Sequence, residues 1–133
     1  MPREDSLMRQ ISELGFALKR LMERMKGGGS GGGLTLDSDP VDAALTEEMG
    51  FGLDALLNIE SENIIPFLLE NPGFSADNLE FFADYLVQIG QGKGYQVNLY
   101  RKAVTIYEYV NKATATFSMD RQNKIQAIRS KLN

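Results

Sequence analysis

The chain has 133 residues, 43% hydrophobic and 24% charged, with a net charge of −4, which suits one ordinary domain able to bury its core without a staple. It has no cysteine and no histidine, so disulfides, thiolate or imidazole metal sites, a cysteine nucleophile and a Ser-His-Asp triad are all excluded. No apolar run approaches the roughly 18 residues of a membrane span, and the opening MPREDSLMRQ lacks the apolar stretch of a secretory signal. The expectation is a cytoplasmic chain with no cofactor, no metal and no membrane contact.

Met1–Lys26 reads as one amphipathic helix. Leu7, Ile11, Leu14, Leu18, Leu21 and Met25 step by four and three, a heptad-like stripe that Met8 and Met22 widen. Asp5 or Ser6 suits its N-cap, and Lys19, Arg20, Arg24 and Lys26 suit the negative end of its dipole. Such a stripe is first of all the buried face of a bundle helix. A homodimer through the stripe is the other arrangement, although Gly15 weakens the helix.

Residues 27–33 read GGGSGGG and hold six of the 13 glycines. A run with no side chains to bury is a flexible tether, and we read it as an engineered linker. It either replaces a loop or joins a helical ligand, Met1–Lys26, to the domain that binds it, Leu34–Asn133. Seven residues span at most about 25 Å, so the ends they join lie close together.

Residues 34–133 read as a helical bundle. Asp39-Pro40 signals a helix start, with Asp39 as N-cap, Pro40 first and Asp42 near the positive end of the dipole. Gly50 ends this helix near Met49. Gly52–Ile59 is a short helix, and Ser61 opens another through Leu69, with an irregular start or kink at Pro66. Asn71-Pro72-Gly73 is a turn. Ser75 caps a helix with Leu79, Phe82, Ala83, Leu86 and Ile89 at helical spacing. Gly90, Gly92 and Gly94 close it by supplying positive φ. A long helix follows from Gly94 or Tyr95 to about Thr116, its candidate buried face being Val97, Tyr100, Ala103, Val104, Tyr107 and Val110. Ser118 caps a last helix at about 118–132, with Ile125, Ile128 and Leu132 apolar and Arg121, Lys124, Arg129 and Lys131 polar. Nothing alternates with period two. The fold class is all-α, a single-domain bundle of about five to six helices.

Charge is segregated. Residues 34–92 carry twelve acidic side chains and no Lys or Arg, whereas residues 93–133 carry eight basic and two acidic ones. The plain expectation is that the middle helices pack against the later ones with opposite charges facing. The sharper one is a charged face offered to a protein or peptide partner, with Tyr95, Tyr109, Arg121 and Lys124 as candidate contacts. Nucleic acid fits poorly, because the chain is acidic overall and its basic residues are not interleaved along one surface.

Three motifs fail as chemistry. Asp37, Asp39 and Glu48 mimic a calcium loop, but Val41 and Asp42 stand where a ligand and the turn glycine belong. Gly90-Gln91-Gly92-Lys93-Gly94 lacks phosphate-loop spacing and a preceding strand, so it is a hairpin turn. Glu47 and Glu48 are adjacent on one helix and point apart.

The stretch FADYLVQIGQGKGYQVNLYRKAVTIYEYV, Phe82 to Val110, resembles part of a tetratricopeptide-type helical hairpin. Tyr100-Arg101-Lys102-Ala103 stands as the Tyr-x-x-Ala of its second helix. The hairpin, at about 75–116, departs from the repeat at Gln96, where a small alanine is expected, and in a turn two residues longer. No second copy occurs at the repeat's period. More broadly, DSLMRQISELGFALKRLM, the acidic middle, LYRKAVTIYEYV and MDRQNKIQAIRSKL together resemble a family of small bacterial helical proteins with no assigned activity. This broader resemblance transfers no functional residue, and it covers both sides of the glycine run, favouring loop replacement. The resemblance to a tetratricopeptide-type hairpin implies a non-enzymatic interaction or scaffold domain. A helical oligomer, a small-ligand binder and an enzyme using carboxylate, Lys or Tyr chemistry are the alternatives.

Overall fold

A computed structural model describes residues 2–30, 38–91 and 94–132. Asp37, Gly92, Lys93 and the end of the glycine run lie outside them. The described residues form seven α-helices and no strand: α1 Pro2–Ser30, α2 Ser38–Met49, α3 Leu53–Asn58, α4 Ile64–Leu69, α5 Ala76–Gln91, α6 Gln96–Thr114 and α7 Met119–Leu132, with a 3₁₀ turn at Ser61–Asn63. The count exceeds the expected five to six, because both short segments expected between Gly50 and Asn71 form separate helices beside the five longer ones. Pro66, without an N–H, falls in the first turn of α4, and the irregular start it implies is the 3₁₀ turn ahead of it.

Several boundaries follow from local chemistry. Gly50 ends α2 at φ +85°, the left-handed cap conformation that glycine adopts without strain. Ser75 and Ser118 cap as expected, their Oγ atoms accepting from Asn78 N–H at 3.2 Å and Arg121 N–H at 3.1 Å.

Other boundaries differ. Helix α1 does not stop at Lys26 but continues to Ser30, since extending a formed helix needs no new nucleus even through residues of poor propensity. Helix α2 begins at Ser38, so Asp39 lies inside it rather than capping it. Helix α6 stops at Thr114, and Ala115 takes the left-handed cap at φ 52°. Gly90 and Gly94 supply no positive φ. Gly90 instead sits buried within α5, where a Cβ would come within 3.0 Å of the Tyr100 ring, so it is there for close approach.

The central unit is the antiparallel hairpin of α5 and α6: α1 packs on α5, α4 and α7 pack on α6, and α2 packs on α1 and α3. Leu14, Leu18 and Leu21 of α1, Leu45 of α2, Leu56 of α3, and Ile64 and Leu68 of α4 all enter one core with Leu79, Phe82, Leu86, Leu99, Ile106 and Ile128. Phe82 anchors an edge-on aromatic cluster, its ring centroid 5.6 Å from Phe74 and 6.3 Å from Phe51. The stripe of α1 is buried only from Leu14 onward; Leu7 and Met8 are exposed because the first turns of α1 meet no other helix closely enough to cover them. On α6, Val97 is also exposed, whereas Leu99 and Ile106, absent from the expected face, are fully buried. Wedged between neighbours on several sides, α6 buries a wider arc than one stripe.

Two polar side chains lock the layers. Asn78 of α5 is buried and donates both amide hydrogens, to Ile11 O at 2.9 Å and Gly73 O at 2.8 Å. Gly73 lies so near α1 that a Cβ there would meet Gln10 O at 2.7 Å. Asp42 does not merely favour its own helix dipole: its Oδ1 accepts the Leu53 N–H at 2.7 Å, capping α3 across the turn.

Candidate functional site

Successive residues on a helix are about 100° apart, so α5 has two working faces. Asn78 and Phe82 turn toward α1 and the core. Glu80, Asp84, Val87 and Gln91 occupy the opposite side, toward α7. There α5, α6 and α7 enclose an open cleft of about 400 Å³. Its floor is apolar, made by Val87, Ala127 and Ile128 and by the faces of Tyr100 and Tyr107. Helix α1 lies on the other face and does not enter it.

One end of the cleft is an ion cluster. Lys124 Nζ lies 3.1 Å from Glu80, 3.1 Å from Asp84 and 3.4 Å from Asp120. Burial would depress its ionisation, but hydrogen bonds and charges from Asp84 and Glu80 more than offset this, and Lys124 stays protonated above its usual range. Tyr107 donates its hydroxyl to Asp84 Oδ1. Burial, reinforced by that bond and the surrounding carboxylates, pushes the phenol far above its ordinary range. Tyr107 is therefore neither phenolate nor general base near neutral pH. At the other end Lys131 Nζ stands 5.9 Å from the Tyr100 ring centroid, a cation–π distance. Among the described residues it makes no ion pair.

The four candidate contacts divide. Lys124 lines the cleft, but its charge is already neutralised by the cluster. Arg121 is only 7% exposed; it donates to Asn111 Oδ1 at 2.6 Å, Glu80 Oε1 at 2.9 Å and Thr116 O at 3.1 Å, joining α5, α6 and α7 from inside. Tyr95 and Tyr109 are half-buried against the core, away from the cleft. Tyr100 and Tyr107 are in the core as expected, and so is Tyr85, which burial pushes up to about 12. Asp84, Val87 and Lys131 are cleft residues that the sequence does not single out. Their only signal was the pairing of an acidic α5 with a basic α7.

Charge segregation is met in part within the fold. Beyond the α5–α7 cluster, Arg20 of α1 grips both Glu48 oxygens at 2.8 and 2.9 Å, and Arg24 reaches Glu47 at 3.1 Å. The Arg20 bond, against a smaller opposing effect of burial, holds the Glu48 carboxyl below its usual range. The acidic middle thus faces basic residues of both the first and last helices. Among the described residues no group of three or more acidic side chains could hold a metal ion, and no helix is long and apolar enough to cross a membrane.

No protein-family model, curated protein or solved structure matches this chain. The cleft's geometry and chemistry are what bear on function.

Proposed function

We propose that this protein is a non-enzymatic helical binding module whose α5–α6–α7 cleft takes an amphipathic peptide segment bearing an acidic side chain. The observation that carries the reading is Lys131, a cation with no carboxylate partner among the described residues, at the rim of an apolar-floored cleft. An apolar side chain of the peptide would rest on Val87 and Ile128, and its carboxylate would meet Lys131. The opposite end offers little to an incoming carboxylate, because its cations, Lys124 and Arg121, are already matched by Glu80, Asp84 and Asp120. That asymmetry orients the segment. The tetratricopeptide-like character of the α5–α6 hairpin accords with this reading, since such hairpins use grooves between helices to bind peptides.

The test is selection of peptides from a displayed random library on the full chain, followed by anisotropy titrations. Selected peptides should share an acidic residue spaced from an apolar anchor. Lys131→Glu should weaken them by at least about tenfold, and Val87→Arg should abolish binding. Lys131 is exposed and its variant retains the fold; Val87 is partly buried against the core, so circular dichroism checks the fold of Val87→Arg. Selected peptides that bind both variants as tightly as the parent would refute the assignment. Peptides lost on Val87→Arg alone would refute its electrostatic half.

A further inference from the structure

The side of α6 turned away from the cleft holds a second, unrelated feature. Asn98 Nδ2 donates to Leu57 O at 3.0 Å, leaving Asn98 Oδ1 to accept from Lys102 Nζ. Lys102 is only 3% exposed, yet among the described residues its ammonium has no other hydrogen-bond acceptor and no ion pair. An ammonium has three donor hydrogens, and a buried charge without a counter-charge is costly. Burial accordingly depresses its ionisation, and the more distant charge of Glu60 restores only part.

Beside this ammonium lies a polar cavity of about 250 Å³ between the α3–α4 connection and α6. Its wall includes Glu60, Ser61, Asn98, Arg101 and Lys102. The volume is that of several waters, enough for a small polar molecule.

We infer that this cavity is a binding site for a small oxyanion, a carboxylate or a phosphate, held between the Lys102 ammonium and the Arg101 guanidinium. Two adjacent cations, one buried and under-bonded and the other presenting a planar donor fork, match an oxyanion's several acceptor lone pairs. Ser61 adds a hydroxyl donor at the wall. Glu60 is the wall's one carboxylate and opposes the ligand, which keeps affinity modest and makes the site sensitive to that residue. Nothing in this inference depends on the cleft across α6.

The experiment is an amide-shift titration of the isotope-labelled full chain with inorganic phosphate, with acetate, and with chloride at matched ionic strength. Saturable shifts at residues 57–61 and 98–102 are expected with phosphate or acetate and not with chloride; the tighter of the two identifies the class. Lys102→Met should weaken binding by about tenfold, the loss of one charge-assisted hydrogen bond. Glu60→Gln should strengthen it severalfold, because it removes the opposing charge. Glu60 is exposed, so this variant remains informative if Lys102→Met fails to fold. Absence of saturable shifts with both oxyanions, equal shifts with chloride, or unchanged affinity in Glu60→Gln would each overturn the inference.

Discussion

Asn78 offers the sharpest test of how the first helix is held. It is the buried link between α1, the Asn71–Gly73 turn and α5, and both hydrogens of its amide are spent on backbone carbonyls. Its Oδ1 faces Gly15, where a Cβ would stand 3.3 Å away, so the glycine that lowers the helix propensity of α1 is where Asn78 approaches. Asn78→Ala removes two neutral hydrogen bonds. The carbonyls are not orphaned: Gly73 O also accepts from Ser75 N–H at 2.9 Å, and Ile11 O lies within α1. The loss is therefore about 1–3 kcal/mol rather than a full desolvation penalty. With an unfolding entropy of roughly 2.1 cal/mol/K per residue over 133 residues, this lowers Tm by about 4–11 °C. Asn78→Asp keeps the shape but turns both donors into acceptors aimed at carbonyl oxygens. At neutral pH it should cost more than alanine, because a buried carboxylate without donors is worse than a small void. Thermal unfolding by circular dichroism measures both. If Asn78→Ala moves Tm by less than about 2 °C, or Asp is tolerated better than Ala, the amide is not what fastens α1.

Leu18 is fully buried in the shared core, so Leu18→Ala should cost about 2–5 kcal/mol in one cooperative calorimetric transition; a separate low-temperature step would mean that α1 detaches on its own. Gly90→Ala gains helix propensity of about 1 kcal/mol but pushes a Cβ against the buried Tyr100 ring. A net loss of about 0.5–2 kcal/mol is expected in denaturant melts, and a more stable variant would show that the ring yields freely. Tyr85 and Tyr107 both ionise above the usual phenol range, Tyr85 at about 12. Their folded values exceed the unfolded one, so the stability they contribute is intact below about pH 10 and is lost as pH rises through the folded values. In an alkaline titration followed by phenolate absorbance, these two should ionise only with unfolding; early ionisation of all five tyrosines in a still-helical chain would contradict their burial.

Much of the helical order was legible because its causes are local. Ser75 and Ser118 cap through bonds three residues away, Gly50 has the one residue type that accepts its φ without strain, and Pro66 marks an irregular start whatever surrounds it. The buried parts of the stripe in α1 and of the pattern in α5 were legible because a helix packed on one side shows one apolar arc. The all-α class follows from these signals together.

Long-range partners left no comparable trace. Arg121 has the composition of a solvated face, and only the convergence of Glu80, Asn111 and Thr116 places it inside. Asp42 looks like a dipole residue of α2, and only the fold of the next turn makes it the cap of α3. The cleft arises where three helices meet, so no single segment shows that Val87, Tyr107 and Lys131 share a wall. Lys102 is hidden for the same reason: its spacing on α6 says which neighbours share its side of the helix, but not that the α3–α4 connection closes over that side. Sequence alone determined which segments are helical and several of their caps, since those energies act within a few residues. Tertiary structure alone decided which charges are paired, which are buried without a counter-charge, and what cavities they border, since those depend on residues tens of positions apart.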